Sequence, residues 1–291
     1  MGINTIEQSR IGFVVPSLRD PRITVLVANS LWIILGREIL YFNRSNAQVM
    51  VALATCAFLD VLTAFMLSRK IVVPLSGLLT GLSIGLLLES YDIRLFIVTA
   101  IWSIASKHFI KIKGSHIFNP SNFGIVAALL LTHGLASVAP GSQWGGDFRF
   151  AVVIFAIGLV TMWRIKRLTL ILGWLSGYFV MAMLRMAVGQ GGLIFALGPW
   201  TGAEFSLFTF VMIPDPKTTP GEKNAQAWFG IALGIVDGVF RLSEVRYSMF
   251  FSLFILCAIR PWFGLIVEKV SDIIPTSGAM RVLGLSRAKA D

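Results

Sequence analysis

An all-α polytopic membrane protein, with about ten transmembrane helices in two inverted five-helix repeats, is the fold this sequence predicts. Three observations lead there. The 291 residues are 56% hydrophobic and only 14% charged, against roughly 25% charged residues in soluble domains. Mean hydropathy is +0.78, and apolar windows of the ~20 residues that a spanning helix needs recur almost end to end. Eighteen of the 25 Lys and Arg residues fall on one side of a ten-span topology and seven on the other. That is the bias expected when basic residues collect on the cytoplasmic face. It puts both termini inside and requires an even number of spans. It also accounts for the net charge of +10 without nucleic acid, which is not an expected partner; the lipid bilayer is.

The predicted spans are roughly 23–42, 47–68, 71–89, 93–110, 120–138, 148–164, 168–188, 195–213, 225–241 and 246–267. Residues 1–22 hold Arg10, Arg19, Asp20 and Arg22 without an apolar core, so they read as a cytoplasmic segment and not as a cleaved signal peptide. Residues 23–267 form one transmembrane domain, with repeats at about 23–138 and 148–267, and 268–291 form a cytoplasmic tail. Ten spans divide into five and five, and a repeat with an odd number of spans must invert in the membrane, as in many transporter folds.

Within that frame a few elements stand out. In the first span Arg37 and Glu38 sit near the end and can neutralise each other. The third opens at Pro74 and runs Ser76-Gly77-Leu78-Leu79-Thr80-Gly81; the eighth opens Gly198-Pro199-Trp200-Thr201-Gly202. Proline and small residues suit either a broken helix whose free N–H groups face a cavity or close small-residue packing between helices. Asp60 lies mid-span, where a carboxylate costs about 2.5–3.5 kcal/mol on insertion scales. It must be protonated, paired or facing water, so it is a candidate for charge coupling or one half of a structural pair with an interfacial Arg or Lys. Arg185 and Asp237 lie near span ends, where snorkelling and interfacial solvation usually suffice. Cys56 and Cys257 lie inside spans without metal-ligand spacing and read as packing thiols.

Two short polar loops abut apolar runs. The first, Ser115-His116-Ile117-Phe118-Asn119-Pro120-Ser121-Asn122, puts proline where a helix takes its first turn. Asn119 and Asn122 can cap that helix or hold a ligand's carbonyl or amide, and capping explains only one of them. His116 reads as a polar contact rather than a ligand. The second loop, Pro214-Asp215-Pro216-Lys217-Thr218-Thr219-Pro220, is too short for a linker and too rich in proline for a helix. It supplies a carboxylate and hydroxyls, or serves as a rigid turn. Irregular backbone at membrane depth is tolerated only where it is buried in protein or lines a wet cavity, so the two loops are expected to enclose one. No nucleophile elbow, phosphate-binding Gly loop or zinc-protease helix occurs.

Four features in order, Ser76-Gly77-Leu78-Leu79-Thr80-Gly81-Leu82, the Lys107 region leading to Phe118-Asn119-Pro120-Ser121, Asp215-Pro216 with its threonines, and Phe229-Gly230, resemble the NqrB/RnfD family. These are the membrane subunits of the sodium-pumping NADH:quinone oxidoreductase and of the Rnf electron-transport complex. The resemblance covers roughly residues 71–260. It implies two inverted repeats distantly similar to urea and ammonium channels, a bacterial inner (cytoplasmic) membrane location, and electron transfer inside a larger complex of membrane or redox subunits. It also implies a non-covalent flavin (riboflavin or FMN) or a quinone as cofactor.

Covalent FMN is not expected. The family's flavinylated threonine sits in an outer loop that here runs only from Ala136 to Asp147, without threonine; Thr276-Ser277-Gly278-Ala279-Met280 echoes the motif in the tail but ends in methionine. The short loop, with Pro140-Gly141-Ser142-Gln143-Trp144-Gly145, looks like the divergent UnbU-like branch. Asn119, Ser121, Asn122, Asp215, Lys217, Thr218 and Thr219 are the expected cofactor-lining residues, with Ser76 and Thr80 behind them. Two other classes stay open: a channel or carrier for a small polar solute or ion, and a non-catalytic scaffold subunit of a respiratory or photosynthetic membrane complex.

Overall fold

The computed structural model describes residues 12–14, 16–17, 20–38, 44–112, 114–138, 148–197 and 202–273. The chain is mostly helical. Helices α1 (Pro21–Glu38), α2 (Asn46–Ser68), α3 (Leu75–Leu87), α4 (Ile93–Phe109) and α5 (Pro120–Leu131) make up the first half. The second half holds α6 (Phe148–Arg164), α7 (Leu168–Ala187), the short α8 (Leu193–Leu197) and α9 (Ala203–Leu207), a π-helical turn at Phe208–Met212, α10 (Lys223–Leu242) and α11 (Ser248–Ile273). Among the described residues three helices, α2, α7 and α10, are long and apolar enough to cross a membrane.

Local chemistry sets most boundaries. Ser45 and Gln48 form a capping box at the start of α2, Asp92 caps α4, and Asn119 caps α5 with Pro120 in the first turn. The third and fifth predicted spans are longer than the helices found. The ends of the third are spent on β2 (Lys70–Val72), paired with β1 (Gly12–Val14), and on β3 (Leu88–Glu89), paired with β6 (Ser137–Val138). The fifth stops at Leu131 because His133 and Gly134 adopt left-handed conformations that end the helix. The eighth predicted span is not one helix: it breaks into α8, α9 and the π turn, while Gly198, Pro199, Trp200 and Thr201 lie outside the described residues. So do most of the Ala136–Asp147 loop and the Thr276–Met280 echo.

Helices α2 and α4 flank α3, and α4 packs on α5; in the second half α7 packs on α10 and α10 on α11. Several of these contacts are backbone-close. A side-chain carbon on Gly81 would fall 2.7 Å from the Cα of Leu53 in α2, and one on Gly234 would fall 2.4 Å from the backbone nitrogen of Tyr178 in α7. The small residues of α3 therefore serve close packing. The outer surface is apolar: Phe58, Met66 and Trp163 are each about two-thirds exposed or more, and soluble monomers rarely show such apolar continuity. Cys56 and Cys257 are free and buried.

One interior carboxylate is satisfied by protein partners rather than by an interface. Asp237 is fully buried, accepting from Arg241 Nε at 2.7 Å and the Ser248 hydroxyl at 2.6 Å. Arg185 is likewise buried, and its Nε has no hydrogen-bond partner. Asp237 corrects the expectation of an interfacially solvated side chain: a carboxylate this deeply buried needs protein partners.

Candidate functional site

The two polar loops meet. Strands β4 (Lys111–Ile112) and β5 (Ser115–His116) form a tight hairpin, turned at Gly114 with φ +80, a backbone conformation that suits glycine. The hairpin delivers His116 to a point where its Nε2 lies 3.5 Å from Asp215 Oδ2 of the second loop. Three residues on, Asn119 Oδ1 accepts from the Asn122 N–H at 3.0 Å and the Ser121 hydroxyl at 2.8 Å, while its Nδ2 donates to the Met212 carbonyl at 2.9 Å. That last bond ties the first loop to the end of the π-helical turn. Such turns are frequent at functional sites.

The second loop is wound on Asp215. Its carbonyl accepts from the Thr218 and Thr219 N–H groups and from the Thr219 hydroxyl at 2.6 Å, and its side chain accepts from the Lys217 N–H at 3.1 Å. Arg167, just ahead of α7, donates to the Pro220 carbonyl, to the Pro216 carbonyl at 3.5 Å and to the Thr219 hydroxyl at 3.4 Å. Prolines withhold N–H groups, so this loop holds its shape through the carbonyls that Arg167 collects.

Between the loops lies a cavity of about 580 Å³. One face of α1 (Arg22, Val25, Asn29) and one face of α3 (Ser76, Leu79, Thr80, Ser83) form two walls, each at helical spacing. His116, Asn119, Ser121, Lys107, Arg167, Asp215 and Lys217 complete it. Six sequence-predicted residues thus share one space: Ser76, Thr80, Asn119, Ser121, Asp215 and Lys217. Asn122, Thr218 and Thr219 do not line it. Asn122 Nδ2 instead bonds the Phe250 carbonyl at 3.1 Å, linking α5 to α11, and the two threonines face into their own loop.

Asp60 stands behind the wall. Its Oδ1 accepts from Lys107 Nζ at 2.5 Å and lies 3.2 Å from His108 Nε2; its Oδ2 accepts from the Gly77 N–H at 3.0 Å. The geometry is that of the structural pair, with Lys107 as the cation, and the pair holds that ammonium at the cavity edge. At the mouth Arg22 makes a bidentate pair with Asp20.

Two buried groups on this cavity stand out. The Asn29 amide, 1% exposed, makes no hydrogen bond to any described residue, and its Oδ1 is buried without a partner. His116, 7% exposed, has its Nε2 3.5 Å from the Asp215 carboxylate and no closer hydrogen-bond partner among the described residues. Native interiors seldom leave such groups unpaired. Asn29 was legible in sequence only as a lone amide in an apolar span, on the helical face that also holds Arg22 and Val25, whereas His116 makes the kind of polar contact its loop suggested, with Asp215.

Charge at the loop contact has a testable consequence. Burial alone would push the Asp215 carboxyl up; the His116 ring beside it, the Lys217 N–H and the Thr218 hydroxyl outweigh that and hold it below its ordinary value. A carboxyl lowered on folding contributes stability that is complete above its unfolded pKa and is lost as pH falls through the folded value. Below about pH 4, the melting temperature of the unaltered chain is therefore expected to fall more steeply than that of Asp215→Asn. Parallel pH profiles would show that the carboxylate is not held by these partners.

No protein-family model matches the chain, and it matches no curated protein.

Proposed function

We propose that the chain is a divergent NqrB/RnfD-like membrane subunit that transfers electrons through a non-covalent flavin, a quinone or both, held between the two polar loops. The observation that supports this most is the cavity between the two polar loops, ringed by basic side chains. Its volume of about 580 Å³ falls within the roughly 300–1,000 Å³ of small-molecule sites. Aliphatic faces from Val25, Leu79 and Val211 suit a flat ring and keep water out. Lys107, Arg22 and Arg167 put positive charge around it. These residues fit a flavin. When bound, that group supplies one- and two-electron transfer. The Lys107 ammonium, fixed by Asp60, favours negative charge at the wall. Electrons would come from a partner subunit.

The ten-span, inverted-repeat architecture belongs to the same proposal. Arg44 precedes α2 and donates to the carbonyls of Leu86, Leu87 and Leu88 at the end of α3. Arg167 precedes α7 and donates to carbonyls just after the broken eighth segment. The positions correspond in a five-helix repeat, and the topology puts Arg44 outside and Arg167 inside, as inversion requires. In the same way α2 packs on α4 as α7 packs on α10, and α4 packs on α5 as α10 packs on α11. The reading keeps a bacterial inner-membrane location with cytoplasmic termini, which puts the cavity mouth on the cytoplasmic side.

Purified in detergent, the full chain is expected to absorb near ~450 nm and to release intact flavin, or a quinone, on acid or solvent extraction. Colourless protein without extractable quinone overturns the proposal. Solute flux in liposomes would then favour the channel reading, and recovery only within a larger assembly would favour the scaffold reading.

A further inference from the structure

Helices α7 and α10 run side by side in the same direction, and their contacts set where their last turns fall. Gly234 packs on Gly177 and Gly238 on Met181, so one turn further on Arg185 comes level with Arg241 and Leu242. Gln190, just beyond α7, ties the two ends together by donating to the Leu242 carbonyl at 2.9 Å. Arg185 is 18 residues from Arg167, about 27 Å along the helix, so this end is remote from the cavity.

The two arginines are not equally provided for. Arg241 donates from Nε to Asp237 Oδ2 at 2.7 Å and lies over the Tyr178 ring, 5.6 Å from its centroid. The other Asp237 oxygen is taken by the Ser248 hydroxyl. Arg185 is 6% exposed and makes no hydrogen bond or ion pair to a described residue. The ionisable groups around it are Arg241, Tyr178 and Asp237; Glu204 faces Arg241 instead. The last turn of a helix favours a cation, yet no carbonyl there accepts from this guanidinium. Only Nε is sealed in; the terminal nitrogens are unbonded without being sealed, so they reach open space. A buried charge left in this state is costly, and an anion from outside the chain would complete it.

We infer that the paired ends of α7 and α10 bind the phosphodiester of an anionic phospholipid, with Arg185 as its principal donor. The guanidinium fork matches phosphate oxygens. Asp237 neutralises Arg241 and leaves one positive charge at Arg185, which a single phosphodiester closes. A zwitterionic headgroup would bring a further cation beside two arginines. The lipid, rather than a free oxyanion, is favoured by the apolar strip that leads away from Arg185: Val180 and Leu184, four residues apart on α7, are both exposed and suit an acyl chain. The inference rests on the membrane topology proposed above, which puts this end at the outer leaflet, and not on what fills the cavity.

The test uses the full chain in detergent, stripped of lipid, with binding read by native mass spectrometry and stability by thermal unfolding. Phosphatidylglycerol is expected to bind at least about tenfold more tightly than diacylglycerol, which lacks the phosphate, as loss of a charge-assisted hydrogen bond implies. Phosphatidylcholine should lie between, and phosphatidylglycerol alone should raise the melting temperature clearly. Arg185→Met should weaken phosphatidylglycerol by a similar factor and abolish that rise. Without lipid the same variant should be at least as stable as the unaltered chain, since it removes a buried charge that has no partner. Arg246→Gln, which alters an exposed arginine near the end of α10, should change neither readout. Equal affinity of the unaltered chain for phosphatidylglycerol and either other lipid overturns the inference, whether or not any variant folds. So does an Arg185→Met protein that keeps its affinity, or an Arg246→Gln protein that loses as much. Inorganic phosphate that displaces phosphatidylglycerol and stabilises the chain equally would keep the oxyanion site and overturn the lipid as its source.

Discussion

Asp60→Ala is expected to destabilise the protein by about 3–5 kcal/mol, because it strips a buried cation of its counter-charge. Asp60 is buried and Lys107 largely so, with side-chain exposures of 10% and 12%. The carboxylate does three jobs at once: it neutralises Lys107, faces His108, and accepts the Gly77 N–H at the start of α3. Removing it leaves an ammonium and a backbone donor unpaired against the cavity wall. Removing both charges together is a different matter. Asp60→Leu with Lys107→Met should recover most of the loss, since a buried pair often does little better than well-packed apolar residues. Arg94→Ala, which breaks the exposed pair with Asp92, is the control and should leave the melting temperature unchanged. Thermal unfolding in detergent checks all three. A double variant no more stable than Asp60→Ala would mean that the Gly77 bond, not the ion pair, is what matters.

Gly230→Leu is expected to be the most damaging single change between helices. A side-chain carbon there would stand 2.3 Å from the Leu170 carbonyl oxygen and 2.6 Å from the Trp174 backbone nitrogen. Those atoms belong to α7 itself and cannot rotate away. The two helices must separate, losing the close approach that Gly173, Gly177 and Gly234 also serve, and the cost is about 3 kcal/mol or more. Size-exclusion behaviour and melting temperature would report it. Gly221→Ala, with nothing within 4 Å, should be silent. A well-folded Gly230→Leu protein would show that α7 and α10 do not pack this closely.

Much of the helical layout was legible in the residues. Helices lie in every one of the ten predicted intervals, the eighth in pieces, because apolar length and local punctuation are read from neighbours along the chain. Asn119-Pro120 starts a helix by capping and a fixed φ; Ser45 and Gln48 start another by reciprocal bonds. The third and fifth intervals ran long because strand pairings between distant loops, and a left-handed turn at His133, leave no mark on hydropathy. The polar loops were visible as places where proline and hydrogen-bonding groups abut apolar runs.

Partnership was not legible. Asp60 could be recognised as a problem, but Lys107 as its solution required α2 and α4 to be side by side. Asn122, Thr218 and Thr219 have the right chemistry for a cavity wall, yet they spend it on backbone and loop bonds. Asn29 has an unremarkable context in sequence and an exceptional one in space. By itself the sequence determined where helices form, where capped ones begin, and that a mid-span carboxylate such as Asp60 would need an explanation. Only the tertiary structure decided which of them share a cavity and which neutralise one another. The reason is physical: propensity and hydropathy are sums over adjacent residues, whereas satisfying a buried charge or amide depends on contacts between segments tens of residues apart.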